Sequence, residues 1–313
     1  MNCKNAAVIG TGMMGPGIAS ILALGGVNAT ILSRHEASAL EGLEKARRFV
    51  RLLQAEELAG AECAELSCST DMDAAVKDVD LVIESAPENM EFKQNLFAHL
   101  DSVTRPDAVL ASNTSGLSIT EIQSKCRHAG RVVTAHFWNP PHLMPLVEIV
   151  KGAQTSDEAA EGLKALLTHC GKVVVMVKKD TPGQLGNRLQ SAVKREAMHI
   201  VAEGIASVED VDLAIKNGFG LRFPVYGCFE HMDAVGTEMS FAISDYISRD
   251  LSNRVGAPPV LREMLDRGEL GVKSGKGFYD WSEKSWDEVR ELRDSFVLDV
   301  VKRWRKRHVP TVE

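Results

Sequence analysis

The sequence predicts an α/β protein whose first part is a doubly wound, mostly parallel sheet and whose second part is an all-helical C-terminal domain. Short apolar runs alternate with helical patterns up to about residue 180, as strands and crossover helices do in such a domain. Most of these runs are continuously apolar, which is typical of strands buried on both faces of a parallel sheet. A glycine-rich loop, VIGTGMMGPGIA, joins the first run to the first helical pattern.

The strand and helix candidates of the first part follow one another along the chain. Runs rich in Val and Ile predict strands at Ala6–Ile9, Ala29–Leu32, Asp80–Ser85, Ala108–Ser112, Val132–Phe137 and Val173–Val177. Helical spacing of apolar residues predicts helices at Met13–Leu24, Ala37–Leu58, Glu91–Val103 and Asp157–Cys170. Together these elements predict one domain at residues 1–182.

The pattern changes at KKDTPGQLGN, residues 178–187, where Pro182 and Gly183 interrupt regular structure. Beyond this point no segment has the pattern of a strand. Apolar residues recur at helical spacing from Leu189 to Val201, and further helices are predicted at Val208–Lys216, Met239–Asp250 and Pro259–Arg267. Residues 183–313 are therefore predicted to form a helical domain, and the basic tail VKRWRKRH, residues 301–308, to be a solvated helix end.

Composition and charge disfavour several classes of protein. The net charge of −7 and the pI near 5.8 argue against a nucleic-acid partner, because phosphate binding needs a basic surface. No apolar run approaches the ~20 residues of a membrane helix, and MNCKNAAVIG leads straight into a strand. We therefore expect a cytoplasmic protein with no signal peptide and no membrane partner. The six cysteines lack metal-ligand spacing, which predicts free buried thiols and no metal site.

The glycines of the first loop have the spacing G-x-G-x-x-G, and the loop lies between a strand and a helix. Gly10 allows the tight turn, Gly12 lets the backbone approach a pyrophosphate, and Gly15 lets helix and strand pack closely. The N-terminus of the helix attracts the phosphate charge. We therefore predict a Rossmann-type dinucleotide site here, which includes Met13 and Met14 between the glycines.

The end of the second strand bears on the choice between NAD and NADP. A carboxylate is expected there, roughly 20 residues after the glycines, to bind the ribose 2′-OH. The chain has Ser33 instead, followed by Arg34 and His35. Serine does not repel a 2′-phosphate, and the Arg34 guanidinium can pair with one, with His35 assisting. Glu36 could serve as a late acid, so the sequence predicts NADP or NAD, with NADP slightly favoured.

A histidine and a glutamate in HFWNPPHLMPLVEIV, residues 136–150, are candidates for proton transfer. His136 and Ser115 both fall at or just after the carboxyl ends of predicted strands, where open α/β sheets bind their ligands. A dehydrogenase needs a base for the hydroxyl proton, and histidine suits this role at neutral pH. Glu148 could fix the tautomer of the imidazole, although an isolated His–Glu pair is more often structural.

Several motifs together resemble those of the 3-hydroxyacyl-CoA dehydrogenase family, over nearly the whole chain. Besides the glycine loop they are SAPENMEFK, SNTSGL, HFWNPP, PLVEIV, DTPGQLGNR and GELGVKSGKGFYDW. The resemblance implies an enzyme that interconverts a 3-hydroxy group and a 3-keto group with NAD(P). It also implies that the helical domain closes over the substrate and forms a homodimer.

The family resemblance also implies roles for individual residues. His136 and Glu148 would form the catalytic pair, and Ser115 and Asn187 would hydrogen-bond the reacting oxygen. The matching positions near the ribose and nicotinamide of the cofactor are Glu88, Lys93 and Asn139. The chain departs from the family at Gln184, where an aromatic residue is usual, and FPVYGCFE lacks the Pro-x-Gly-Pro-Phe of the acyl-CoA enzymes.

The substrate is suggested by a narrower resemblance. HFWNPPHLMPLVEIV, GFGLRF and DLSNR are similar to the branch of the family that holds L-gulonate 3-dehydrogenase (lambda-crystallin), L-carnitine dehydrogenase and a pyridine-carboxylate dehydrogenase. This branch implies a small polar 3-hydroxy acid. Arg222 in GFGLRFPVYG is the candidate anchor for its carboxylate, because a guanidinium binds carboxylate bidentately; a surface or dimer-interface arginine is the alternative.

Two other functions remain open from the sequence. A 3-hydroxyacyl-CoA dehydrogenase, such as one for 3-hydroxybutyryl-CoA, usually carries a lysine-rich arm after the second strand. Here that region is shorter, and its basic cluster of Arg47, Arg48 and Arg51 equally suits a solvated helix face. A non-catalytic, crystallin-like dinucleotide-binding protein would need no intact His–Glu pair, which this chain has.

Overall fold

The computed structural model describes Met1 and residues 3–308, with residues 305–308 described by their backbone alone. The chain divides into two compact units. The first comprises residues 1–188 together with the C-terminal stretch that begins at Val301, and the second comprises Leu189–Val300. In the part of the chain that is described, no helix combines the length and the apolar character that crossing a membrane requires.

The first unit is built on one sheet. Its strands are β1 (Asn5–Ile9), β2 (Asn28–Leu32), β3 (Leu66–Ser69), β4 (Leu81–Glu84), β5 (Val109–Ser112), β6 (Val132–Phe137), β7 (Leu146–Lys151) and β8 (Val173–Val177). The sheet is eight-stranded, in the order β3-β2-β1-β4-β5-β6-β7-β8. Neighbouring strands are parallel except β6 and β7, which are antiparallel. The order changes direction between β1 and β4, which makes these strands the switch point of a doubly wound sheet.

The helices of the first unit begin where the sequence offers a cap or a turn. They are α1 (Gly15–Leu24), α2 (Glu36–Ala55), α3 (Met72–Val76), α4 (Met90–Val103), α5 (Ile119–Ile122) and α6 (Asp157–His169). Asn89 caps α4 by accepting the Phe92 N–H, and so satisfies a donor that the helix itself cannot. On its inner face α4 places Phe97 and Leu100 in a buried apolar cluster with strand residues such as Leu110. This packing fixes α4, and with it Lys93, against the sheet.

The strands predicted from the sequence are all present, and two further strands were not predicted. β3 has the residues LSCS, which are only partly buried, so it lacks an apolar run that would mark it. β7 is the antiparallel partner of β6, to which it connects by a short segment that only an antiparallel neighbour allows. The first helix begins at Gly15 instead of Met13, because the residues before it form the turn of the glycine loop.

The second unit is helical in its described residues, apart from isolated bridges that Lys276 forms with Gly271 and Asp280. The helices that follow the sheet are α7 (Gly186–Ala202), α8 (Val208–Asn217), α9 (Cys228–Val235), α10 (Thr237–Ile247), α11 (Pro259–Asp266) and α12 (Trp286–His308). Within the described residues, α7 to α10 contain no buried side chain, whereas Met264 of α11 is buried. The helical prediction for this half of the chain is confirmed.

Two smaller expectations are met only in part. The C-terminal basic stretch is not wholly solvated, because the Lys302 ammonium forms an ion pair with Glu56, just after α2. The side chains of residues 305–308 in the same stretch lie outside the described residues. The six cysteines are free, as expected, but Cys63 and Cys228 are exposed, so the thiols are not all buried.

Candidate active site

The glycine loop lies at the switch point of the sheet, between β1 and α1. Gly10 has φ of 114°, and a Cβ there would collide with the Ser85 carbonyl oxygen; a Cβ on Gly15 would collide with the Gly10 carbonyl oxygen. A Cβ on Gly12, by contrast, would meet no other atom within 4 Å. Met14, at the N-cap of α1, makes no side-chain hydrogen bond to the first N–H groups of the helix. The loop therefore presents open backbone and a helix N-terminus, which suit a pyrophosphate.

The residues that follow β2 lie beside this loop, because β2 is the neighbour of β1. The Ser33 hydroxyl accepts a long hydrogen bond, 3.5 Å, from the His35 N–H. Arg34 and Glu36 are both exposed, and so is Met13 in the loop. Among the described residues no carboxylate forms an ion pair with Arg34. Its guanidinium is therefore accessible to an anionic group at this edge of the sheet.

His136 and Glu148 face each other on neighbouring strands. The register of β6 and β7 places the two residues opposite one another, and Nδ1 of the buried His136 lies 2.7 Å from Oε2 of the buried Glu148. The same Oε2 accepts a hydrogen bond of 2.9 Å from Nε1 of Trp138. Oε1 accepts the N–H groups of Leu185 and Gly186 at 3.0 and 2.8 Å. None of these three donors was predicted from the sequence, although Trp138 lies within the motif HFWNPP.

The four hydrogen bonds determine the protonation of the pair. Burial acts to raise the pKa of Glu148, but hydrogen bonds from His136, Gly186 and Trp138 outweigh burial and lower this pKa from 4.5 to about 2. An ionised carboxylate only accepts hydrogen bonds, so Nδ1 of His136 must carry the proton. Nε2 is then the nitrogen that is available as a base.

Lys93, in α4, lies beneath the sheet edge at which β4 ends. Its side chain is 1% exposed, and its ammonium is 2.6 Å from Oε1 of Glu84 and 3.6 Å from Oε2 of Glu88. Glu84 is fully buried at the end of β4 and also accepts the Ser112 hydroxyl at 2.6 Å. Glu84 was not among the residues predicted from the sequence. The available signal was a carboxylate that ends an apolar strand, which rarely stays unpaired.

Two amide side chains, one just before α7 and one in its first turn, contact the loop after β5. Asn187 Nδ2 donates to the Ser115 carbonyl oxygen, and Gln184 Nε2 donates to the Thr114 carbonyl oxygen, each at 2.9 Å. Glu88 accepts the Ser115 N–H at 2.6 Å. Gln184 is buried with φ of 55°, a left-handed conformation that is uncommon for residues with a side chain. The structure thus brings Ser115, Asn187 and Glu88 together.

The two remaining candidates are both exposed. Asn139 comes directly after Trp138, just beyond the end of β6. Arg222 belongs to the second unit, where it follows a short 3-10 helix, Phe219–Leu221. Every other candidate residue named in the sequence analysis belongs to the first unit.

A glycine loop at the switch point of a doubly wound sheet is the arrangement in which dinucleotide-dependent dehydrogenases hold their cofactor. A buried imidazole with an available Nε2 is the kind of base that removal of a hydroxyl proton requires. Fold and site thus define an NAD-binding oxidoreductase with a helical second domain. The chain belongs to the 3-hydroxyacyl-CoA dehydrogenase family, since the NAD binding domain of that family matches residues 5–181 and its C-terminal domain matches residues 183–281. The predicted family, fold class and enzyme class are confirmed.

Relatives in this family differ in their named substrates. L-Carnitine dehydrogenase of Streptomyces coelicolor is 37% identical over 273 residues, which are 85% of either chain. A probable 3-hydroxybutyryl-CoA dehydrogenase of Bacillus subtilis is 35% identical over 291 residues, 91% of this chain and 100% of the relative. The crystal structure of 5-formyl-3-hydroxy-2-methylpyridine 4-carboxylic acid 5-dehydrogenase, described as an NAD⁺-dependent dismutase, is 31% identical. It superposes with a TM-score of 0.88 and covers 97% of this chain and 98% of its own.

Proposed function

We propose that this protein interconverts the 3-hydroxy and 3-keto groups of a small polar 3-hydroxy acid, with His136 and Glu148 as its proton-transfer pair. The observation that carries the proposal is the 2.7 Å contact of a buried imidazole with a carboxylate that three further donors hold. This contact leaves Nε2 as a base on the sheet edge that also carries the glycine loop. Family membership supports the same reading of the pair.

The chain's own groups account for the proton and the substrate oxygen. In oxidation, Nε2 of His136 accepts the hydroxyl proton, and Glu148 stabilises the imidazolium that results. When bound, the nicotinamide cofactor supplies the hydride acceptor. Asn187 keeps one amide N–H beyond the one that it donates to Ser115, so this N–H and the Ser115 hydroxyl can hydrogen-bond the reacting oxygen. In reduction, His136 returns the proton.

For the cofactor, we propose that the NAD binding domain binds NADP(H) with a modest preference over NAD(H). Exposed Glu88 and Asn139 would contact the ribose and nicotinamide, and Lys93 would hold Glu88 from below through their 3.6 Å ion pair. Exposed Arg34 supports the NADP preference, because no side chain of the described residues neutralises it. Exposed Glu36 supports NAD instead, since its carboxylate could reach the ribose hydroxyls.

Replacing Arg34 by alanine is expected to weaken NADPH binding about tenfold or more, because a hydrogen-bonded pair with a charged group contributes roughly 1.5–3 kcal/mol. NADH binding should change little. Fluorescence titration of both reduced cofactors measures the two affinities, and Arg48→Ala, another exposed arginine nearby in the chain, is the control. If the wild type binds NADH more tightly than NADPH and Arg34→Ala changes neither affinity, the protein is specific for NAD.

The preference for a small acid over a CoA thioester is supported by the named relatives and by Arg222. Carnitine and the pyridine carboxylate in the relatives' names are carboxylic acids without CoA. Exposed Arg222 offers a guanidinium to a carboxylate. The relative named as a probable 3-hydroxybutyryl-CoA dehydrogenase keeps a CoA substrate as the second candidate function. Kinetic assays of short 3-hydroxy acids and 3-hydroxybutyryl-CoA with both cofactors distinguish the two.

Arg222→Met is expected to raise the Michaelis constant for a 3-hydroxy acid by about tenfold to a hundredfold, the loss of one charge-assisted pair with a carboxylate. The turnover number should change less, because Arg222 takes no part in proton transfer. Steady-state kinetics measures both constants, with Arg254→Met as the control at an exposed arginine of the same unit. Activity only with CoA thioesters, unaltered in Arg222→Met, would favour the CoA substrate.

We further propose that the helical domain forms a homodimer. The described residues of α7 to α10 include no buried side chain, and Phe229, Phe241 and Tyr246 are 81%, 71% and 82% exposed. Exposed apolar surface of this kind marks interaction sites. Light scattering after size exclusion should therefore give twice the chain mass of 34.1 kDa, and a monomer at micromolar concentration would contradict the proposal.

The free cysteines agree with a cytoplasmic location, which imaging of the tagged chain tests.

A further inference from the structure

We infer that Trp138 is a positioning residue that shares a carboxylate oxygen of Glu148 with His136, and thereby favours the oxidation of a hydroxyl group at neutral pH. The inference rests on the proposed function, in which His136 is the base. It goes beyond that function because it assigns a role to a third side chain and states how this role shifts the pH range in which His136 acts as a base.

The geometry places two donors on one oxygen. Nδ1 of His136 and Nε1 of Trp138 lie 2.7 and 2.9 Å from Oε2 of Glu148. Oε1 is already occupied by two backbone N–H groups, so all four lone-pair directions of the carboxylate are used. The two rings are 5.7 Å apart at 53°, so they are tilted and not stacked.

Sharing the oxygen changes how well Glu148 stabilises a proton on the imidazole. Each N–H donor draws on the negative charge that Oε2 offers to the others, so the Trp138 donor leaves less of this charge for an imidazolium at His136. Oxidation requires the neutral imidazole, and reduction requires the imidazolium. Trp138 therefore extends the pH range of oxidation toward acid. It does not alter the equilibrium of the overall reaction, which the substrates alone determine.

Trp138 also packs against the segment that holds the other oxygen of Glu148. A Cβ on Gly186 would collide with the six-membered part of the Trp138 ring, so the indole lies directly on the backbone that donates to Oε1. The ring thus has a packing role besides its hydrogen bond. A test must therefore remove the N–H and keep the bicyclic shape.

The other charged groups on the elements around His136 have partners of their own. On the strand opposite, Glu148 is the charged group in contact with it. The loop after β4 brings Glu88, which accepts the N–H of Ser115 from the loop after β5. The segment before α7 brings Asp180, which accepts the Ser118 hydroxyl at 2.6 Å. The first turn of α7 brings Arg188, which donates to the Pro182 carbonyl oxygen. None of these hydrogen bonds involves the indole, so replacing Trp138 breaks none of them.

The experiment replaces the indole at position 138 by its benzothiophene isostere, which has sulfur in place of N–H, and separately makes Trp138→Phe. The titration midpoint of the His136 imidazole is measured by NMR, with the signal assigned by its loss in His136→Gln. The acidic limb of the pH–rate profile is measured for oxidation in the holoenzyme. The same isostere at Trp281, in the second unit, is the matched control.

We expect the midpoint and the acidic limb to move to higher pH by about 0.5–1 unit in both Trp138 variants, which is about a three- to tenfold change in the protonation equilibrium of the imidazole. The Trp281 control should not move, and the Michaelis constant for the cofactor should stay constant. A midpoint that does not rise in the isostere, or that falls, overturns the inference. A midpoint that rises in a protein that turns over no hydroxy acid supports the sharing of the oxygen and overturns the proposed function instead.

Discussion

His136→Ala is expected to lose about 10²–10⁴ in turnover, the usual contribution of a general base or acid. The reason is geometric, because Nδ1 of His136 is held 2.7 Å from Glu148 and only Nε2 remains for a substrate proton. Affinity for the reduced cofactor should stay near the wild-type value, since the glycine loop is built on β1 and α1 and not on β6. Steady-state turnover and fluorescence titration of the cofactor measure the two effects separately.

Two further variants test whether the effect belongs to this pair. His99→Ala removes a histidine that also contacts a carboxylate, Asp73 at 2.7 Å, but at an exposed site, and it should leave turnover unchanged. Glu148→Gln should reduce turnover less than His136→Ala, because a neutral amide stabilises an imidazolium less well than a carboxylate does. Normal turnover in His136→Ala would refute the assignment of this residue as the base.

Lys93→Met is expected to reduce the free energy of unfolding by about 3–5 kcal/mol, the usual cost of leaving one member of a buried ion pair without its partner. Lys93 is 1% exposed, and Glu84, 2.6 Å away, is fully buried, so water cannot replace the ammonium. The charge of Glu84 would then keep only its hydrogen bonds from Ser112 and Ala86. Urea denaturation followed by circular dichroism measures the loss.

The double variant Lys93→Met with Glu84→Gln is the matched control, because it removes both charges together. It should recover much of the lost stability, since neutral groups of similar size are often tolerated in place of a buried ion pair. Lys151→Met breaks the pair with Asp157, which is 90% exposed, and should cost less than about 1 kcal/mol. A small effect of Lys93→Met alone would show that Glu84 is not held by this ammonium.

The candidate site was predictable from the sequence wherever a single segment carries the signal. The glycine loop is one example, because its G-x-G-x-x-G spacing lies within one strand–turn–helix segment. The pairing of His136 with Glu148 was anticipated through the family resemblance and not through secondary structure, since β7 was not among the predicted strands. Trp138 lies within the motif HFWNPP, but its role depends on a carboxylate oxygen of Glu148, which lies on a different strand.

The sequence by itself determined the class of fold and the family of this protein, because both depend on local patterns: the alternation of apolar runs with helices, the spacing of glycines, and short motifs in their order. The tertiary structure alone decided how groups from separate segments meet. The register of an antiparallel strand puts Glu148 opposite His136, and the backbone at Leu185 and Gly186 completes the carboxylate's hydrogen bonds. The burial of Lys93 on Glu84 likewise needs a helix packed on the end of a strand. Such contacts depend on distances between chain segments, which no local pattern of residues specifies.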